Sequence, residues 1–583
     1  MKRREMIKKA LGLGALISLP GSIIPNELLA DSSEIFPAGS AIGNPLRFPP
    51  VLTGNTMTAS VTNQTVWPGQ TSQLVTINNS YPGPTVIIER GSTLNINFVN
   101  NLSEDSIIHW HGIIAPEVMD GHPMYAIHPG QTYNYSFPIV QRAGTYWYHP
   151  HADMLTASQA FKGLAGFFIV TDQSENALNL PSGNFDIPLC IQDRRSVNIP
   201  QFTYNPNSTD MMVGFLGDVP LINGTPDAYF QVSRTLYRFR LLNGSNARIY
   251  KIAFSDNRAF HIIGTDGGLK DAPVSATSFY ISPGERVEIL FDFSPYTIGQ
   301  SVTLKSLPFT GSGGPTYQQG TEMNLLRFDI TSNTSSGGVV PASLTPITYY
   351  NPSDVVRTRS FTLSHASGGM NMHLINGLTF SMNRIDFEVP QNGLEQWKIV
   401  NATNEFHPMH SHGILFQVLS RNGSTTLAPN DKGWKDTVLV NPYEQVIVLI
   451  KFTQYKGIYM WHCHNLEHED DGMMLNFKVV DPIGINEENS GVPKDFRLHQ
   501  NYPNPFNPST KIKYSVPQTN GGVNVELVVL DETGREIETL VNKVHTSGNY
   551  EIQWNAANRS SGIYYCKLIT GNYTETIKMI LVK

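Results

Sequence analysis

Ten of the 17 histidines fall in four short clusters: His109-Trp110-His111-Gly112, His149-Pro150-His151, His407-Pro408-Met409-His410-Ser411-His412-Gly413, and His462-Cys463-His464-Asn465-Leu466-Glu467-His468. Each contains His-X-His, whereas random placement of 17 histidines over 583 positions gives about half of one such pair. On a strand, residues i and i+2 share a face, so each pair presents two imidazoles to one site. The proline of His149-Pro150-His151 removes a ladder hydrogen bond, which puts that pair at a strand end or edge. Imidazole and thiolate together suit copper, zinc and iron, so ligand type alone leaves the metal open. Number narrows the choice, because a structural zinc closes its shell with four ligands and would leave most of these side chains idle. Cys463 is followed after five residues by His468 and after five more by Met473, while His407 arrives from another strand. Two imidazoles, a thiolate and a weak thioether form the ligand set of a blue-copper electron-transfer centre. Met474 is adjacent, but the spacing favours Met473. The other eight clustered histidines make four pairs, enough for a second, multinuclear site. Consecutive strand residues face opposite ways, so His462 and His464 point away from the side that Cys463 faces, and an electron can cross between the sites over a few covalent bonds. The isolated His122, His128, His261, His365, His373, His499 and His545 are read as ordinary core or surface residues.

Such ligands need a rigid frame, and the chain supplies strands for it. Runs such as GSTLNINFVNNL, QTYNYSFPIV, TLYRFRLLNG, RVEILFDFS and EQVIVLIKFT alternate apolar and polar residues between Gly, Pro, Asn and Asp. No helical period is sustained, and Thr156 to Lys162 is at most a short helix. The expected fold class is all-β, with three sandwich domains over residues 45–175, 180–332 and 355–483, separated by polar or Ser/Gly-rich stretches such as TSNTSSGGVVPAS. Composition agrees with several cores: 583 residues suggest about four domains, and 40% of the residues are apolar. Charged residues make up 15% and the net charge is -7, which gives no basic footprint for nucleic acid or anionic lipid. The three cysteines, Cys190, Cys463 and Cys566, are too few and too far apart for a disulfide framework.

The two ends read differently. Residues 1–30 begin MKRREMIKKALGLGALISLP, a basic start and an apolar run too short to span a bilayer, which is an export signal. Arg3-Arg4 resembles the twin-arginine signal that exports folded proteins, beside the plainer reading of an ordinary secretory signal. No other stretch has 18 uninterrupted apolar residues, so no membrane span is expected. DPIGINEENSGVPK (481–494) reads as a linker, and residues 495–583 as a small β-sandwich. That tail, through NYPNPFNP (501–508) and the closing Ser561-Gly562-Ile563-Tyr564-Tyr565 strand, resembles the C-terminal sorting domains of the type IX secretion system. A generic carbohydrate-binding or spacer sandwich is the alternative. Cargo of that system enters the periplasm unfolded, at odds with a twin-arginine start. Export machinery recognising both termini is expected, with a periplasmic, cell-surface or extracellular destination.

With HWHG, HPH, HPMHSHG and HCHNLEHEDDGMM all present, residues of about 45 to 483 resemble the multicopper oxidases, specifically the bacterial three-cupredoxin-domain laccase-like group. The resemblance implies cupredoxin-like Greek-key sandwiches and four copper ions, one type 1, one type 2 and two type 3. It implies His407, Cys463, His468 and Met473 at the type 1 ion, and His109 and His410 at the type 2 ion. It also implies His111, His149 and His464 on one type 3 ion and His151, His412 and His462 on the other, a split that comes only from the family pattern. The implied reaction takes electrons singly from a small-molecule donor, passes them through Cys463 and reduces dioxygen to two waters. Asp120 and Glu469 stand at positions that the family uses for proton delivery, with orientation of a ligand histidine as the alternative role. Trp434-Lys435-Asp436-Thr437 also resembles a family segment, in which Asp436 either orients a ligand or accepts a substrate proton.

Copper-tolerance members of the family oxidise Cu(I), with a methionine-rich insertion and Asp-X-Met-X-His ahead of the first type 1 histidine. Here Thr403, Asn404, Glu405 and Phe406 precede His407, and Met370 and Met372 are too few for an insertion. Phenols, aryl amines or similar one-electron donors are therefore the expected substrates, with Cu(I) as the alternative through Glu405. A non-catalytic copper-binding surface protein is the minor alternative, and family members that became structural lose ligands, of which none is missing here.

Overall fold

The computed structural model describes residues 43–314, 316–334, 337–366, 373–481, 495–517, 522–571 and 573–583. The export signal, most of the linker, Met370 and Met372 lie outside these residues. The described chain divides into two compact units on either side of residue 482.

The first unit is built from three pairs of β-sheets, each pair enclosing its own apolar core. In the first pair, a four-stranded sheet carrying Thr56–Gln64 and Thr93–Asn100 faces a second in the order Gly83–Glu89, Gly166–Thr171, Gly144–Pro150, Ile108–His111. Their core holds Phe98, Trp110, Tyr135, Tyr148 and Phe168. In the second pair, a six-stranded and a seven-stranded sheet enclose an aromatic core in which Phe254 and Phe291 stack with ring centres 3.5 Å apart. The outermost strand of that six-stranded sheet is Asn44–Pro45, paired in parallel with Ala228–Arg234, so the chain touches the second sandwich before it builds the first. The third pair is two five-stranded sheets around Trp397, Phe416, Trp461 and Phe477. Parallel neighbours such as Gly83–Glu89 with Gly166–Thr171 and Arg357–His365 with Glu395–Asn401 are the crossovers of the Greek-key, cupredoxin-like sandwich. Thr156–Phe161 forms the short helix expected there. The second unit is a smaller sandwich of a three-stranded and a four-stranded sheet around Phe506, Trp554, Leu568 and Met579.

Burial follows the alternation of side chains and marks where the site sits. Glu395–Asn401 alternates buried and half-buried residues along its length, as a strand with one wet face must. Ile108–His111, Gly144–Pro150 and His407–Ser411 are buried at every position. One face of each packs on its own sandwich core, as Trp110 does, and the other meets a neighbouring sandwich. The histidines occupy that second face.

The second sandwich grips the first through buried ions. Arg240 forks onto Asp186 (Nε to Oδ1 and Nη2 to Oδ2, both 2.7 Å) and donates to Glu288 Oε1 at 3.1 Å, while Thr145 Oγ1 of the first sandwich donates to the same oxygen at 2.7 Å. Arg238 reaches the other Glu288 oxygen. Burial acts to raise the Glu288 carboxyl, and the two guanidiniums outweigh it, holding the group down at about 2. A carboxyl depressed from an unfolded value of about 4.3 stabilises the fold above that pH, and the stabilisation fades as pH falls toward the folded value. Glu288→Gln is expected to cost about 3 kcal/mol at pH 7 by breaking a buried charge network. Denaturant unfolding from pH 7 down to 2 should show that difference shrinking below about pH 4.3.

Candidate metal centre

All ten clustered histidines and Cys463 are buried. Strand parity sorts them into two sites. Cys463 ends the Gly457–Cys463 strand, which pairs antiparallel with His407–Ser411 so that His410 lies opposite His462 and Met409 opposite Cys463. Directly opposed residues share a face, and His407 is odd where His410 and His412 are even, so His407 falls on the Cys463 side.

On that side three ligand atoms form a triangle. Cys463 Sγ lies 3.5 Å from His407 Nδ1 and 3.6 Å from His468 Nδ1, and the two nitrogens are 3.2 Å apart. The centre of such a triangle lies about 2 Å from each corner, the length of a metal–imidazole bond. His407 Nε2 contacts Thr403 Oγ1 at 2.9 Å and His468 Nε2 contacts the Met212 carbonyl at 3.0 Å, so each ring keeps its proton on Nε2 and turns the Nδ1 lone pair inward. Burial pushes the Cys463 thiol up, and a cation bound at the triangle would draw off its proton. Met473 is buried in the same core cluster, and its carbonyl accepts the Cys463 N–H at 3.1 Å. Met474 pairs with His462 and so shares that histidine's face.

The other eight histidines meet on the far side of the strand. His109 lies opposite His149 in the first sandwich, and Pro150 is in the last register pair of its strand, at the strand end predicted from HPH. Burial holds these rings neutral, lowering His149 to about 3 and His462 to about 4. Five of them place the single Nδ1 proton on a fixed acceptor. His109 donates to Asp120 O (2.5 Å), His149 to Pro150 O (2.9 Å), His410 to Asp436 O (2.9 Å), His412 to Asp120 Oδ2 (2.7 Å) and His462 to Cys463 O (3.0 Å). Their Nε2 atoms are therefore bare lone pairs. These face one another: His109 and His410 at 3.4 Å, His412 and His462 at 3.1 Å, and His149 and His464 at 3.4 Å, with His111 Nδ1 3.3 Å from His149 Nε2. His151 closes a group with His412 and His462. Lone pairs at such separations repel unless a cation lies between them, and an all-imidazole, buried, neutral donor set fits copper.

The three carboxylates singled out from the sequence also converge here. Asp120 uses Oδ2 for His412 and leaves Oδ1 without a partner. Glu469 has Oε1 3.4 Å from His151 Nδ1 and Oε2 3.3 Å from His462 Nδ1, and neither oxygen makes a hydrogen bond. Burial raises both carboxyls well above the usual range. Asp436 Oδ1 accepts from His111 Nε2 at 3.0 Å.

Other contributors were not singled out by residue type and spacing. Glu467, inside the last cluster, fixes the Leu466–Asp470 helix by accepting from Tyr204 OH (3.0 Å), Asn246 Nδ2 (2.8 Å) and the Phe215 N–H (3.0 Å), all from the second sandwich. His373, isolated in sequence, stacks on His468 at 3.8 Å, and His365 packs edge-on against His373 at 5.1 Å. Only position in the helix beside His468 pointed toward Glu467, and nothing local pointed toward His373.

Comparison with known proteins gives the family. Sequence profiles described as multicopper oxidase match residues 59–175 and 347–482, and one described as secretion system C-terminal sorting domain matches residues 500–583. A bilirubin oxidase of Albifimbria verrucaria is 33% identical over 82% of this chain and 90% of its own. A laccase of Bacillus subtilis (strain 168) is 31% identical over 70% of this chain and 90% of its own. The crystal structure of the McoA multicopper oxidase from Aquifex aeolicus superposes with a TM-score of 0.70 at 36% identity, covering 75% of this chain and all of that one. No helix among the described residues is long and apolar enough to cross a membrane. With its paired sites, its sandwiches and these relatives taken together, the chain belongs to the multicopper oxidase family.

Proposed function

We propose that the chain is an exported, laccase-like oxidase that takes electrons singly from phenols, aryl amines or similar small donors and passes four of them to dioxygen, which leaves as two waters. The carrying observation is the sequence His462-Cys463-His464 at one strand end, with Cys463 Sγ in the triangle with His407 and His468 and its two neighbours among the facing imidazoles. We assign His407, Cys463, His468 and Met473 to the type 1 ion, and His109 and His410 to the type 2 ion. The type 3 pair takes His111, His149 and His464 on one ion and His151, His412 and His462 on the other, four ions in all. When bound, these ions supply a one-electron acceptor and a multi-electron reductant for dioxygen.

The chain supplies the rest. The Cys463 backbone gives a covalent route of a few bonds between the two sites, and full burial keeps water off it. Asp120 holds His412 in the tautomer that turns Nε2 inward, while its free Oδ1 can hold a proton. Glu469 is the proton carrier, because both oxygens stand beside cluster histidines without being committed to either. Three sandwich domains at 45–175, 180–332 and 355–483 hold the sites, and a sorting module at 495–583 directs the protein to the periplasm, the cell surface or the medium.

One observation supports a second donor class. Glu405 Oε2 and His365 Nε2 lie 3.1 Å apart, buried and without hydrogen-bond partners, and His365 is next to the His373 ring that stacks on His468. That pair is a landing place for a cuprous ion beside the type 1 site.

Oxygen uptake by the copper-loaded protein, with a phenol and with Cu(I) as donors, tests both readings. Turnover of the phenol and its loss in Cys463→Ser are expected; full activity in the serine variant would refute the electron route, and turnover of Cu(I) alone would establish the second reading. Glu469→Gln is expected to slow reoxidation by dioxygen about 100-fold or more, the usual scale of a general acid, while leaving reduction of the blue centre near wild type. Stopped-flow measurement of the two half-reactions separates them, and equal slowing would remove the proton role.

A further inference from the structure

The second sandwich contributes none of the ten clustered histidines, yet one of its side chains reaches the multinuclear site. Arg286 opens the Arg286–Asp292 strand and is fully buried. All five of its N–H donors are used. Nε donates to Thr145 O (3.1 Å), Nη1 to Gly284 O (2.7 Å) and Asp436 Oδ1 (2.8 Å), and Nη2 to Asp266 O (2.9 Å) and Asp436 Oδ2. A guanidinium with its whole fork committed has one orientation, and it passes that orientation to the carboxylate it grips. Asp436 Oδ1 in turn accepts from His111 Nε2 at 3.0 Å and from Thr437 Oγ1 at 2.9 Å.

His111 differs from the other seven rings of this site. It alone turns Nδ1 inward, toward His149 Nε2 at 3.3 Å, and so needs its proton on Nε2 where the others use Nδ1 or leave it free. No backbone carbonyl takes that proton, and the Asp436 carboxylate does. The glycine of the first cluster belongs to the same device. Gly112 has φ +83°, and a Cβ there would come within 2.4 Å of Asp436 Oδ2 and 2.6 Å of Arg286 Nη2. The clamp passes over the backbone only because position 112 carries no side chain.

We propose that Arg286 is a positioning residue of the multinuclear centre: through the Asp436 carboxylate it fixes His111 in the Nε2–H tautomer, so that Nδ1 is presented to copper, and Gly112 provides the clearance. This rests on the assignment of His111 as a copper ligand made above. Partners that orient a ligand histidine in this way typically change metal affinity by about 10- to 100-fold when lost.

The test uses the copper-loaded full chain and reads copper per chain during titration with a chelator, together with the fraction of copper that is magnetically uncoupled by electron paramagnetic resonance. Arg286→Lys keeps the charge and loses the fork. It is expected to release one ion at a chelator concentration about tenfold lower and to raise the uncoupled fraction, while the blue band per chain stays at the wild-type value. Arg240→Lys breaks an equally buried fork in the same interface without touching Asp436, and is expected to lower the unfolding midpoint and leave both copper readouts alone. Equal copper readouts for the two variants, whether both changed or both unchanged, would overturn the proposal. Should Arg286→Lys not fold, Gly112→Ala, which forces guanidinium and carboxylate apart, must show the same early release and uncoupling, and wild-type readouts there would overturn it. His111→Ala separates the two claims. If it keeps every ion and its coupling, the ligand assignment itself fails; if it loses an ion while Arg286→Lys does not, only the positioning role fails.

Discussion

Seven neutral imidazoles held with ring nitrogens facing one another at 3.1–3.4 Å are a source of repulsion that the rest of the fold must withstand. Neutrality comes from burial, and direction comes from acceptors placed behind the rings. Most of these acceptors are backbone carbonyls, those of Asp120, Pro150, Asp436 and Cys463, which aim the rings at no cost in side-chain entropy. Such an array gains stability from a cation and loses it without one, so metal binding and the stability of this interface are one equilibrium.

The second constraint is the alternation of the strand. Cys463 and its two neighbours serve different sites because adjacent residues face opposite ways, and the odd spacing of His407 relative to His410 and His412 repeats the same division on the neighbouring strand. Antiparallel register then puts His410 across from His462 and His109 across from His149, so two hydrogen-bond ladders do the alignment. Two carboxylates flank the array differently: Asp436 accepts from His111, while Glu469 stands beside His151 and His462 with neither oxygen in a hydrogen bond.

Much of this was legible in the sequence, because parity is a local property. The division of the clusters and the strand end at His149-Pro150-His151 follow from counting along one strand, and the alternating runs announced the sandwiches. What local patterns did not announce is the share of the second sandwich. Arg286 meets Asp436 across 150 residues, Met212 meets His468 across 256 and Phe215 meets Glu467 across 252, and none of the three stands in a motif. An arginine at the start of a strand has the same local signature whether it ends in water or in a fork on a buried carboxylate. His373 shows the converse: a lone histidine with no companion at i+2 acquires its meaning only by stacking on another strand's continuation.

The three cysteines are buried and unpaired, and the imidazoles come from residues 109–151 and 407–468. Synthesis must pass residue 468 before both sites have their full complement of donors, and the sandwiches that open and close this unit must dock before any ion finds its cage. Metal uptake thus waits until the first unit has been made and docked. A polypeptide carried across a membrane unfolded would meet its copper on the far side; one carried across already docked could bring its copper along.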